Sequence, residues 1–148
     1  LDRLITAHAG RSIPTLFAED GEVRFRELER DLLRRTATTD DLVVALGGGA
    51  LVDDENRAFA KEDGLVVYLE APVDTLLDRV ADDDTRRPLL EDDTGTRLPR
   101  GEQRARIEEM LDERRPTYEA AHHTLDADRP VEAVVTDLVQ IVTRSSSP

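Results

Sequence analysis

Three consecutive glycines follow a short apolar run in the first third of the chain. The run covers residues 42–46, and Gly47, Gly48 and Gly49 come directly after it. An apolar run of this length favours a buried strand, and glycine lets a ligand approach the main chain because no Cβ stands in the way. Ligands of open α/β sheets bind beyond the carboxyl ends of the strands, so this junction is a candidate binding site. A plain tight turn is the alternative interpretation.

Three arginines form a second candidate group. Arg26 follows a phenylalanine on a predicted helix, Arg87 precedes a Pro-Leu-Leu segment in a polar loop, and Arg114 precedes a proline and a tyrosine. Lys61 is the only lysine, so arginine must supply the other cationic contacts with an anion, and its planar guanidinium suits carboxylate and phosphate. We expect Arg26 and Arg114 to grip a small anion that Arg87 reaches from its loop. An exposed surface charge is the alternative for each of them.

The composition excludes several classes of protein. The chain has no Cys, which excludes a disulfide framework, a cysteine zinc site and a thiol nucleophile. Its three histidines are too few and too poorly placed to predict a metal site. The net charge of −13 disfavours nonspecific nucleic-acid binding, which requires neutralised phosphates. No apolar stretch approaches the ~20 residues that cross a bilayer, so we expect a cytoplasmic protein with neither a nucleic-acid nor a membrane partner.

The hydrophobic pattern alternates between helical and strand periods. It predicts helices over 3–8, 22–35, 54–61, 72–80, 104–121 and 131–142, and strands over 42–46, 65–69 and 124–125. On the helix over 22–35, the residues expected to face the core are Val23, Leu28, Leu32 and Leu33. Such an alternation indicates an α/β fold with a parallel sheet and right-handed crossovers. Residues 82–100 are polar and show little periodicity, as in a functional or disordered loop.

Six motifs, in the family's order over about residues 2–140, resemble the shikimate kinase family of small P-loop kinases. They are Gly10-Arg11-Ser12-Ile13, Gly21-Glu22 with Phe25-Arg26-x-x-Glu29, Gly47-Gly48-Gly49-Ala50 with Asn56-Arg57, Val67-Tyr68-Leu69, Arg87-Pro88-Leu89-Leu90 and Arg114-x-Pro116-x-Tyr118. The resemblance implies a three-layer α/β fold, a parallel sheet with helices on both faces. It also implies transfer of the γ-phosphate of ATP to the 3-hydroxyl of shikimate, a step of chorismate biosynthesis.

The resemblance also implies roles for residues at the shikimate site. Asp2 matches the carboxylate that binds shikimate hydroxyls and assists deprotonation, although a helix cap is the alternative for it. Arg26 and Arg114 match the pair that clamps the shikimate carboxylate, and Glu29 matches the carboxylate that orients Arg26. The substrate-binding main chain corresponds to the glycines Gly47, Gly48 and Gly49.

For the nucleotide, the resemblance implies four further residues. Arg87 matches an arginine on a lid over 82–100 that neutralises charge on the transferring phosphoryl group. Arg79 and Pro130 match the two sides of an adenine sandwich, with Arg129 beside them. Arg79 and Pro130 match the family pattern less regularly than Arg87 does. The spacing from Arg79 to Arg87 is one residue longer than in the family pattern, and the turn before Pro130 is short.

The family pattern contains elements that this sequence does not. They are the first strand, the Gly-Lys-Ser/Thr phosphate loop with its helix, and the second strand. The carboxylate that organises Mg²⁺ is also absent, so we expect the metal ligands in a missing N-terminus and none in this chain. The expectation is an incomplete kinase domain over 1–142 with a disordered tail over 143–148, unstable and inactive alone. The full-length protein is expected to be a monomer that uses ATP and Mg²⁺.

Two alternatives stay open at this point. The first is a catalytically dead remnant that still binds shikimate. The second is another small-molecule P-loop kinase, such as a gluconate kinase. The Phe-Arg-x-x-Glu and Gly-Gly-Gly-Ala patterns argue against the second alternative, because both match the shikimate-binding pattern.

Overall fold

The computed structural model describes residues 1–82, 90–92 and 94–145, which fall into two compact units. The first unit, Leu1–Gly64, contains three helices. They are α1 (Asp2–Ala9), α2 (Ile13–Thr36) and α3 (Asp54–Asp63). Their apolar faces enclose a core of Leu1, Ile5, Leu16, Phe25, Leu28, Leu32, Leu33 and Ala50.

Helix α2 consists of two helical segments joined by a kink at Gly21. Ser12 caps its start, accepting a hydrogen bond from the backbone of Thr15 at 3.3 Å. Gly21 has φ 78° and ψ 173°, a backbone conformation that is essentially restricted to glycine. After the kink, three of the four predicted core residues are buried, whereas the prediction for Val23 is wrong because its side chain is 76% exposed.

The predicted strand over 42–46 is wrong. Residues 42–47 have no regular secondary structure, and they pair with no strand in the described part of the chain. A strand requires a neighbour to accept and donate its backbone hydrogen bonds, and an apolar sequence cannot replace that neighbour. Val44 and Leu46 still pack against the core of the first unit, so the apolar pattern indicates their burial correctly.

The second unit, Leu65–Pro148, contains a parallel sheet and three helices. Its elements are β1 (Val67–Glu70), α4 (Val73–Ala81), α5 (Arg100–Glu119), β2 (His123–Asp126) and α6 (Val131–Ser145). The two strands pair in parallel from Val67 opposite His123 to Glu70 opposite Asp126. This pairing confirms the parallel sheet expected from the sequence, and the second core, built on Leu77, Leu90 and Ile107, lies against α4 and α5.

Parts of two predicted segments fall outside the described residues. Within the predicted lid, residues 83–89 and 93 are not described, so Arg87 lies outside the description, while Glu91 and Arg97 form a short antiparallel bridge. Within the predicted tail, α6 extends to Ser145, and only 146–148 are not described. Among the described helices, none is both long and apolar enough to cross a membrane.

The kink of α2 predicts the cost of replacing its glycine. A Cβ at Gly21 would meet no atom within 4 Å, so Gly21→Ala tests backbone strain alone. We expect it to lower the free energy of unfolding by roughly 1–3 kcal/mol in urea denaturation. The control is Gly101→Ala in α5, which also meets no atom and should stabilise the protein by up to ~1 kcal/mol. Equal effects of the two changes would contradict this view of the kink.

Candidate active site

The guanidinium of Arg26 is held between two carboxylates of its own helix. Nη1 donates to Glu29 at 2.7 Å, while Nε and Nη2 donate to Glu22 at 3.3 and 3.2 Å. The spacings of three and four residues place all three side chains on one face of α2, after the kink. The sequence reasoning assigned no role to Glu22, although the residue stands in one of the motifs.

These contacts leave one edge of the Arg26 fork for another partner. A guanidinium has five N–H groups, and the two carboxylates take one each from Nε, Nη1 and Nη2. A Cβ built on Gly49 would lie 3.0 Å from Nη2, 3.1 Å from Nη1 and 3.4 Å from Cζ. Because the two nitrogens are nearer than the carbon, the Nη1–Nη2 edge faces the glycine loop. Free N–H groups of a guanidinium form charge-assisted hydrogen bonds with carboxylates, so Arg26 is a candidate for binding an anion near this loop.

Glu29 is the buried member of the arrangement, with only 2% of its surface exposed. Desolvation by burial raises the pKa of its carboxyl above the ordinary value, and the hydrogen bond and charge of Arg26 oppose that rise. The negative charges of Asp2 and Asp53 add to it. Burial also acts to lower the pKa of Arg26, but the contacts with Glu29 and Glu22 outweigh it, so the net direction is upward. The arginine therefore stays charged.

The start of α1 lies against the same glycine loop. The backbone nitrogen of Leu1 donates to the carbonyl of Ala45 at 2.6 Å, just before the glycines. A Cβ on Gly47 would lie 3.8 Å from Oδ1 of Asp2. Asp2 is the first residue of α1, and the N-cap position belongs to Leu1, so the helix-cap interpretation of Asp2 is wrong. The structure thus brings Asp2, Arg26, Glu29 and the glycine loop together.

The glycine loop is held in a defined shape from α3. Within the loop, Ala50 N–H donates to the carbonyl of Gly47 at 3.0 Å, and Val52 N–H donates to that of Gly49 at 3.2 Å. From the first turn of α3, Nδ2 of Asn56 donates to the carbonyl of Ala50 at 3.0 Å, and Nη1 of Arg57 donates to that of Leu51 at 3.1 Å. In the sequence, Asn56 and Arg57 stand out only as part of a motif.

Arg114 lies half-buried on α5 in the second unit, whereas Arg26 belongs to the first. One turn after Arg114, Tyr118 stacks on Tyr68 of β1 with ring centroids 4.9 Å apart and an interplanar angle of 21°. The stack fixes the end of α5 against the sheet, because stacked rings favour one orientation. The tyrosine of the Arg-x-Pro-x-Tyr motif therefore anchors the helix segment that carries Arg114.

Three of the predicted nucleotide residues, Arg79, Arg129 and Pro130, lie at the turn after β2. Nη2 of Arg79 donates to the carbonyl of Ala127 at 2.6 Å, so its guanidinium lies beside the turn that ends in Pro130. Arg129 connects the same turn to α6, since its Nε donates to the carbonyl of Asp126 at 3.3 Å and its Nη2 donates to Asp137 at 2.6 Å. The contact with Asp137 is the main reason why the pKa of Arg129 is raised. Arg79 and Pro130 thus lie at one turn, and Arg129 joins that turn to α6.

No cluster of three or more His, Cys, Asp or Glu side chains suited to a metal ion occurs within the described ranges.

A parallel sheet flanked by helices defines an α/β protein. In its first unit, the arginine fork beside the glycine loop is a candidate anion-binding site. The family model described as shikimate kinase matches residues 1–143. The chain therefore belongs to the shikimate kinase family, whose members are kinases and hence transferases. This membership confirms the resemblance seen in the motifs.

Individual relatives agree with this membership. The shikimate kinase of Salinibacter ruber is 84% identical over 148 residues, covering 100% of this chain and 72% of the relative. That of Chlorobium phaeobacteroides is 41% identical over 128 residues, covering 86% of this chain and 67% of the relative.

Two solved structures agree in fold. Shikimate kinase from Bacteroides thetaiotaomicron has a TM-score of 0.86 at 29% identity, covering 96% of this chain and 81% of that one. Shikimate kinase from Acinetobacter baumannii, in complex with shikimate, has a TM-score of 0.81 at 32% identity, covering 99% of this chain and 78% of that one.

The raised pKa of Glu29 predicts how stability depends on pH. The folded protein binds this proton more tightly than the unfolded chain, so the contribution of Glu29 is complete below the ordinary pKa of 4.5 and is lost as pH rises through the folded pKa. We expect the unfolding free energy of the wild type, minus that of Glu29→Gln, to fall as the pH rises above the ordinary pKa of 4.5 in urea denaturation. Glu22→Gln, which removes the exposed carboxylate from the same arginine, is the control; a constant difference for Glu29→Gln would contradict the prediction.

Proposed function

We propose that this chain forms the shikimate-binding part of an enzyme that phosphorylates the 3-hydroxyl of shikimate with ATP. The observation that carries the proposal is that Arg26, held by Glu29 and Glu22, lies against Gly49 in the loop whose Gly47 lies near Asp2. Shikimate has one carboxylate and three hydroxyls. The arginine edge suits the carboxylate, while Asp2 and the backbone of Gly47, Gly48 and Gly49 suit hydroxyls.

The chemistry assigned to Asp2 follows from its charge and place. As the 3-hydroxyl oxygen bonds to the γ-phosphorus of ATP, the bond from that phosphorus to the bridging oxygen breaks, and ADP leaves. The hydroxyl proton must go to a base, and a carboxylate beside the glycine loop can accept it. Arg114 is proposed as the second cation on the shikimate carboxylate.

The remaining assignments concern the nucleotide. Arg87 is proposed to neutralise charge on the transferring phosphoryl group from a lid over 82–100. Arg79 and Pro130 are proposed to flank the adenine, a proposal supported by their common turn. Mg²⁺ belongs to the proposal as the usual partner of ATP. A monomeric full-length enzyme and a cytoplasmic location stay predictions.

The first experiment measures shikimate-dependent ADP formation by the complete gene product beside this 148-residue chain, with gluconate in place of shikimate as a control. Activity of the complete product with shikimate alone supports the kinase. Activity with gluconate alone would support the other small kinase, and shikimate binding without turnover would support the remnant. Activity of the 148-residue chain would contradict the expectation that it is inactive by itself.

The close approach at Gly49 predicts an effect on affinity. Gly49→Ala places a methyl group 3.0 Å from Nη2 of Arg26, whose guanidinium is held by Glu29 and cannot yield freely. We expect the KM for shikimate to rise about tenfold or more, since ~1.4 kcal/mol of binding is a factor of ten. Gly47→Ala is the matched change, because its Cβ meets Asp2 at an ordinary 3.8 Å, and it should raise KM less. A larger effect at Gly47 would contradict the assignment.

The two arginine roles predict opposite kinetic patterns. Arg26→Ala should mainly raise the KM for shikimate, because it removes the carboxylate contact. Arg87→Ala should lower kcat by about 10³-fold, since an arginine on the transferring group acts in the transition state. Steady-state kinetics of the complete gene product measures both. Intact kcat with lost shikimate binding in Arg87→Ala would contradict its role.

A further inference from the structure

The side-chain amide of Asn56 is buried. Its nitrogen has a hydrogen-bond partner, whereas its oxygen has none among the described residues. Its side chain is 3% exposed, and Nδ2 donates to the carbonyl of Ala50, a residue with no exposed surface. Its Oδ1 is buried and accepts no hydrogen bond from the described residues. An unpaired buried oxygen opposes folding, so packing alone would favour an apolar side chain of the same shape. The feature that only an amide provides here is the donor to Ala50.

The hydrogen bond from Asn56 belongs to a series of hydrogen bonds that connects the glycine loop to α2. Oδ1 of Asp53 accepts from the backbone of Asn56 at 2.9 Å and thereby caps α3. Oδ2 of the same carboxylate accepts from Nη2 of Arg30 at 2.7 Å. Arg30 lies one turn after Arg26 on α2. The helix that carries the anion-binding arginine is therefore linked to the turn that carries Asn56.

The series closes at the glycine loop. Ala50 directly follows Gly49, and the fork of Arg26 faces Gly49 at 3.0 Å from its Cβ position. Asn56 holds the carbonyl of Ala50, while the N–H of Ala50 closes the turn onto Gly47. With both sides of this residue held, the backbone of the loop keeps its position against the arginine. The position of the glycine loop beside Arg26 is thus set partly by Asn56.

We infer that Asn56 is a positioning residue for substrate binding, acting through Ala50 on the glycine loop. The inference rests on the proposed function, because the ligand that it assumes at this loop is shikimate. Asn56 itself does not touch the substrate. A purely packing role would predict that a side chain of equal shape leaves shikimate affinity unchanged.

Two substitutions separate these roles. Asn56→Leu keeps the shape and removes both the donor and the unpaired oxygen, so it should change the melting temperature little. Asn56→Asp puts a carboxylate against the carbonyl of Ala50, and only its protonated form can donate. Acidic pH should therefore partly restore Asn56→Asp and not Asn56→Leu. Glu62→Gln, an exposed change on the same helix, is the control.

The experiment uses the complete gene product and two measurements. In steady-state kinetics, Asn56→Leu should raise the KM for shikimate about five- to tenfold while the KM for ATP changes less than about twofold. In hydrogen exchange, the amides over 47–52 should exchange about five- to tenfold faster in Asn56→Leu. Glu62→Gln should match the wild type in both.

Three outcomes overturn the inference: an unchanged KM for shikimate in an active Asn56→Leu variant, an equal rise of both KM values, or unchanged exchange over 47–52. If the wild type makes no ADP with shikimate, the proposed function fails. The exchange rates then decide by themselves whether Asn56 holds the loop.

Discussion

The ion pair between Arg26 and the buried Glu29 constrains everything around it. A carboxylate with 2% exposure is costly unless a cation pairs with it, so the Nη1 side of Arg26 must stay at 2.7 Å from Glu29. Glu22 takes the Nε side of the same guanidinium. The Nη1–Nη2 edge lies against Gly49, and its direction is set by the buried partner.

That fixed edge determines what can lie opposite it. The loop at Gly49 approaches to a distance at which any Cβ would press on the arginine nitrogens. The loop keeps its place through hydrogen bonds to its carbonyls from the first turn of α3, and α3 is tied to α2 through Asp53 and Arg30. Burial of the Glu29 carboxylate is thus linked, through contacts of ordinary length, to the position of the glycine loop.

Much of the fold follows from local pattern. The strand around Val67 and the helices were predictable from periodicity, and the motifs around Arg26 and Gly49 predicted the residues of the candidate site. The strand over 42–46 was not predictable, because a strand exists only with a neighbour, and Val23 was misplaced because a helical pattern cannot tell a core face from its margin. Glu22 and Asn56 were missed as site residues because each acts through another residue.

The sequence alone determined the family, the residue types of the site and their order along the chain, since motif spacing is a local property. Tertiary structure decided which edge of Arg26 faces the glycine loop, that Glu29 is buried, and that Asn56 reaches Ala50. The physical reason is that burial and hydrogen-bond direction depend on segments distant in sequence. A chain can specify a charged side chain locally, but only packing decides which of its donors remain for a ligand.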